Sequence, residues 1–117
     1  MNAIKPFLDK YNAVLIRPGA NRPDYTCKLS TVARLVEIAN RLAASYKTAS
    51  EADRGHIARD LSGIQFEMNV RFAVSLKKGE FDDEANRGFT RLTAIHLDAG
   101  IECRYTVNDV WAEVARR

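Results

Sequence analysis

The chain has 117 residues, 46% of them hydrophobic and 28% charged, the balance of an ordinary globular domain with its own core. That length leaves little room for a second unit, so residues 1–117 read as a single domain. No apolar run reaches the ~20 residues of a membrane helix, and the start Met1-Asn2-Ala3-Ile4-Lys5-Pro6 lacks the apolar stretch of a secretory signal; the expectation is a cytoplasmic protein with no membrane partner.

The charge is unevenly spread. The net value is +3, yet residues 1–50 carry eight Lys/Arg against three Asp/Glu, while residues 51–117 carry ten against twelve. A basic N-terminal part favours an acidic protein surface or a nucleic acid through long-range attraction. The two cysteines, Cys27 and Cys103, are too few for a disulfide-built domain and are expected to be small buried thiols.

In chain order, Ile4, Phe7, Leu8, Tyr11, Val14 and Leu15 recur at three- and four-residue spacing, which predicts a short first helix over residues 2–15. Residues 17–28 form a surface loop: Pro18, Gly19 and Pro23 break regular structure. This loop presents Arg17, Arg22, Tyr25 and Lys28, the candidate residues for binding a protein partner of acidic character. A short extended stretch near residues 24–29 is allowed.

Residues 30–46 predict a helix with the apolar stripe Val32, Leu35, Val36, Ala39, Leu42, Ala43 and Tyr46, capped by Ser30 or Thr31. Glu37 and Arg41 are an i, i+4 ion pair on the outer side. Thr48 with Glu51, or Ser50 with Asp53, starts the next helix. Ile57, Leu61, Ile64 and Met68 continue it, so residues 30 to about 76 predict a central antiparallel helical hairpin.

Residues 67–76 fit two templates. On a helix, Phe66, Val70 and Val74 lie opposite the Ile57–Met68 face, giving a helix apolar nearly all round and therefore central. As a strand, Met68, Val70, Phe72, Val74 and Leu76 alternate with Asn69, Arg71, Ala73 and Ser75. The helix is preferred, since only Ser62-Gly63 interrupts Leu61 to Met68. In that reading Phe66, Val70 and Val74 await a second subunit, which suggests a homodimer.

Lys77-Lys78-Gly79 ends this element. Asp82, Asp83 and Glu84 suit the N-terminus of a helix carrying Ala85, Phe89, Leu92, Ile95 or His96, and Ala99, with Gly100 as its stop. Residues 101–106 allow a short extended segment. Thr106 with Asp109 caps a last helix, and Tyr105 with Val110 is placed as a hydrophobic staple. Val107, Val110, Trp111 and Val114 are expected on its inner face, with Phe89, Leu92 and Trp111 in or near the core. The fold class is thus mainly α, a small bundle of four to five helices.

No motif carries chemistry. Cys103 and His96 lack the local signature of a nucleophile and its base. Cys27, His56, His96 and Cys103 are not in the close pairs that hold zinc, and Asp82-Asp83-Glu84 does not converge on one point. No glycine-rich phosphate loop is present. The sequence therefore predicts no catalytic residue, cofactor or metal.

If residues 69–76 are a strand, the order from there is strand, helix, turn, helix. That order resembles the ribbon-helix-helix family of dimeric DNA-binding proteins over about residues 68–117. The resemblance implies that Asn69, Arg71 and Ser75 enter the major groove from a two-stranded ribbon shared between subunits. Against it, the segment up to Gly100 is longer than the family's first helix, and a helical region precedes the strand. A helix-turn-helix over residues 92–117 has too long a turn. The expectation favoured by the sequence is a non-enzymatic protein-interaction or regulatory module, of adaptor or inhibitor type. The alternative is a DNA-binding regulator acting through its C-terminal half, and an enzyme with an unfamiliar site is the third class.

Overall fold

Each helix begins at a side chain that accepts a free backbone amide, which is why the local signals place the starts well. The computed structural model describes residues 30–117. They form α1 (Val32–Tyr46), α2 (Glu51–Lys77), α3 (Asp83–Ala99) and α4 (Val107–Arg116), with no strand among the described residues. Thr31 Oγ1 accepts from the Arg34 amide at 3.1 Å and Asp82 Oδ1 from the Ala85 amide at 3.0 Å. Of the two frames open at α2, Ser50 is the cap, accepting from the Asp53 amide at 3.3 Å.

At α4 the exchange is reciprocal. The Asp109 amide donates to Thr106 Oγ1 and the Thr106 amide to Asp109 Oδ2, at 3.1 and 2.8 Å. That second bond holds the Asp109 carboxyl below its ordinary pKa. Gly100 adopts φ 70°, a left-handed turn that L side chains resist. It lets the Ile101 amide reach back to the His96 carbonyl at 3.0 Å and close α3.

α2 is the hub: α1, α3 and α4 all pack on it, and α1 also packs on α3. The main core joins Leu35, Leu42, Ile57, Leu61, Ile64, Met68 and Leu92. The link between α1 and α2 is fixed by Arg54, which donates to the carbonyls of Tyr46 and Lys47 and lies 5.0 Å from the Tyr46 ring. This is the expected central hairpin.

A second core sets Phe66, Val70 and Ala73 of α2 against Val110 and Val114 of α4, with Val74 and Tyr105 beside them. The face that seemed to need a second subunit is thus covered within the chain, which removes that ground for a dimer. Tyr105 packs against the cluster that holds Val110, with its ring centroid 4.4 Å from that of Phe66.

Several expectations need correction. Residues 67–76 are helical throughout, so the strand template, and the ribbon built on it, does not hold. Period-2 alternation there reflects two apolar faces of one helix. Residues 101–106 form no strand, though Thr106 has extended backbone angles. Trp111 and Val107 are exposed, and the inner face of α4 is Val110, Glu113 and Val114. Cys103 is exposed. The predicted helix over 2–15, the loop 17–28, the stretch 24–29 and Cys27 lie outside the described residues. No helix among the described residues is long and apolar enough to cross a membrane.

Candidate functional site

The longest helix supplies the floor of the candidate site. Gln65, Asn69, Phe72 and Leu76 follow one another at i, i+4, i+7 and i+11 along α2, so they share one face. Phe72 of that face meets Phe89 of α3, and Gln65 and Asn69 lie between α3 and α4. Between α3, α4 and the connection joining them, a groove of about 520 Å³ opens over its Gln65 and Asn69 end. Phe89, Thr93 and Leu97 form one wall; Ile101, Tyr105, Val107 and Val110 form the other.

This part of the surface is unlike the rest. Among the described residues, the large hydrophobic side chains left exposed are Leu76 (47%), Phe81 (62%), Leu97 (75%), Val107 (71%) and Trp111 (49%). Leu97 and Val107 line the groove, and Trp111 stands one turn beyond Val107 on α4. Phe81 joins from the other end: its ring meets Phe72 edge-on at 5.4 Å, and Phe72 lies 6.2 Å from Phe89. In a chain that is 28% charged, the groove is lined by one Asp, Glu, Lys or Arg among the described residues, Glu102.

Two of its polar groups have unused acceptor capacity. Gln65 is only 5% exposed, and its Oε1 has no hydrogen-bond partner; its Nε2 donates to Asn69 Oδ1 at 2.7 Å. The Thr93 hydroxyl spends its proton on the Phe89 carbonyl at 2.9 Å, leaving lone pairs. An unpartnered buried amide oxygen costs about 1–3 kcal/mol.

His96 lies beneath the groove, buried. Nδ1 is 3.2 Å from the Ile101 carbonyl oxygen and Nε2 is 3.2 Å from that of Leu61. A neutral ring donates to one of these carbonyls and a protonated ring to both. Either way the imidazole ties α3 to α2 and to the connection behind it. Exposed His56 and buried His96 share no cluster: no group of three His, Cys, Asp or Glu able to hold a metal occurs among the described residues.

The residues proposed from the strand template do not gather into a reading surface. Asn69 sits in the groove as the acceptor of Gln65. Arg71 donates to Glu67 Oε2 at 2.7 Å and to the Ser30 carbonyl at 2.6 Å. Ser75 is buried, donating to the Phe72 carbonyl and accepting from the Asp82 amide. Arg17, Arg22, Tyr25 and Lys28 lie outside the described residues. Gln65, Phe89, Leu97 and Val107 were missed as site residues. Leu97 offered one signal, a large apolar side chain off the predicted buried stripe of its helix.

Comparison with protein-family models, with curated proteins and with solved structures finds no match for this chain.

Proposed function

We propose that the protein is a non-enzymatic helical interaction module whose binding face is the groove between α3 and α4 over α2. The observation behind this reading is the concentration of exposed Leu97, Val107 and Trp111 around a nearly uncharged groove. Interface cores are depleted in charge and enriched in aromatic side chains, and contiguous apolar patches on a soluble domain mark contact sites. The wide opening and the sparse titratable groups suit recognition better than catalysis.

A photo-reactive side chain at position 97 or 107 tests this. It is expected to cross-link a partner in the native cell extract, whereas the same group at exposed position 87 is expected not to. The double variant L97D/V107D is expected to lose that partner with its circular dichroism unchanged. A partner captured equally from position 87, or retained by the double variant, would move the interface elsewhere.

A further inference from the structure

The last helix is held unlike the other three. α1, α2 and α3 pack on one another in every pair, whereas α4 packs chiefly on α2. We infer that α4 and the connection before it are a lid, latched by the ion pair of Arg117 with Glu67, and that its closing and opening make and unmake the groove.

The lid has thin apolar anchorage. The buried residues of α4 are Val110, Glu113 and Val114, so two aliphatic side chains hold it against Phe66, Val70 and Ala73 of α2. α3, by contrast, sends Leu92 and Ile95 into the core that also joins α1. Elements with few buried apolar contacts open at a lower free energy than the rest of a fold.

The hinge lies just past Ile101. Gly100 turns the chain out of α3 with φ 70°. Ile101 is buried in the main core, its carbonyl oxygen 3.2 Å from His96 Nδ1. From Glu102 to Arg104 the chain is exposed. Beyond the hinge, the Arg104 amide donates to Ser62 Oγ at 3.1 Å, and the Tyr105 ring rests on that of Phe66. One groove wall, Tyr105 with Val107 and Val110, therefore belongs to the lid. The other, Phe89, Thr93 and Leu97, belongs to α3, so a swing of the lid parts the two.

The latch is polar and can be undone. Arg117 donates from Nη1 to Glu67 Oε2 at 3.0 Å and from Nη2 to Oε1 at 2.6 Å, a bidentate pair of fixed geometry. Opening strands neither carboxylate. Glu67 keeps Arg71 of its own helix, with Nε 2.7 Å from Oε2, and Glu113 keeps Arg116 and Arg117 one turn on, each Nε at 3.1 Å. A buried carboxylate left without a cation would oppose opening far more strongly. Here the pair that crosses between helices is the pair that breaks.

Amide hydrogen exchange of the full chain, followed by NMR, reads the lid. In the parent, the α4 amides are expected to exchange together, at least about tenfold faster than the slowest amides of α1 and α3. R117M keeps a long stem without the fork, and E67Q removes the charge. Each is expected to speed the α4 amides about tenfold more, the scale of one charge-assisted hydrogen bond, and to leave α1 and α3 as they were. R117M carries the comparison alone if E67Q does not fold. Thiol alkylation then reads whether α4 lifts off α2. In a C27S/C103S background, A73C lies in the cluster under α4 and A39C in the main core. R117M is expected to speed alkylation of A73C about tenfold and not that of A39C. α4 amides as slow as those of α1 and α3, or variants that speed every helix alike, overturn the lid. Fast α4 exchange that neither variant changes overturns the latch. Faster exchange with A73C no more reactive than A39C means that α4 loosens without lifting, and overturns the link to the groove.

Discussion

Asp60 lies about a third of the way along α2, fully buried, with Oδ2 unpartnered and Oδ1 3.4 Å from Arg59 Nε. Burial pushes its pKa from the ordinary 3.8 up to about 6, with Arg59 opposing the rise. The unfolded chain keeps the ordinary value. Between these two pH values the native state holds a proton that the unfolded state has lost, so stability falls as pH rises through about 4 to 6. Above that window the native state bears the whole cost, at most about 3 kcal/mol at 1.36 kcal/mol per pH unit. D60N removes the titration. It is expected to unfold at higher urea concentration than the parent at pH 7.5, with the advantage shrinking toward pH 4.5. An advantage equal at both pH values would mean that Asp60 keeps an ordinary pKa. A lone Asp amid Ile57, Leu61 and Ile64 gives no sign of this in the sequence. The template places it on the flank of the stripe, and only the packed structure shows that water does not reach it.

At the scale of the element, the helix ends were legible because a cap is a matter of three or four adjacent residues. Ser50, Asp82, Thr106 and Gly100 act within their own turns, and no distant contact overrides them. Which face a helix buries is a different problem. Val107, Val110, Trp111 and Val114 span an arc wide enough for two docking angles. The ion cluster at the end of α4 belongs to one of them. Arg117 donates from both Nη atoms to Glu67, at 3.0 and 2.6 Å, and from Nε to Glu113 at 3.1 Å. Gly88 is a tertiary choice of the same kind. A Cβ there would stand 2.8 Å from both Met68 Sδ and Val32 Cγ1, so α3 approaches α2 and α1 at a point where only hydrogen fits. Met68 yields easily, but Val32 is branched and stiff. G88V is therefore expected to cost about 1–3 kcal/mol, the usual penalty of overfilling a core. Shortening Met68 to Ala in that background should return part of the loss. A G88V melt at the parental temperature would show that α3 has room to move.

For the whole molecule, the question is how a helix apolar on so many sides is covered in a chain this small. α1 and α3 take one face of α2, and α4 takes the face of Phe66, Val70 and Ala73. What stays partly exposed is the side of Asn69, Phe72 and Leu76, with Gln65 buried at its end. The candidate site is therefore the remainder of the packing, invisible until three helices from distant parts of the sequence are in place. The same logic says what happens when one cover is lifted. Val114 is 2% exposed against α2, and an aspartate there would bury a charge with no partner provided for it. V114D is expected to release α4 and uncover Phe66 and Val70, the residues that the sequence alone offered to a second subunit. The parent should sediment as a monomer at micromolar concentration. V114D should lose several kcal/mol of stability and associate as its concentration rises, because its newly bared face has only another copy to cover it. If V114D stays monomeric and melts like the parent, α4 is not the cover of that face, and the groove it borders would lose one of its walls.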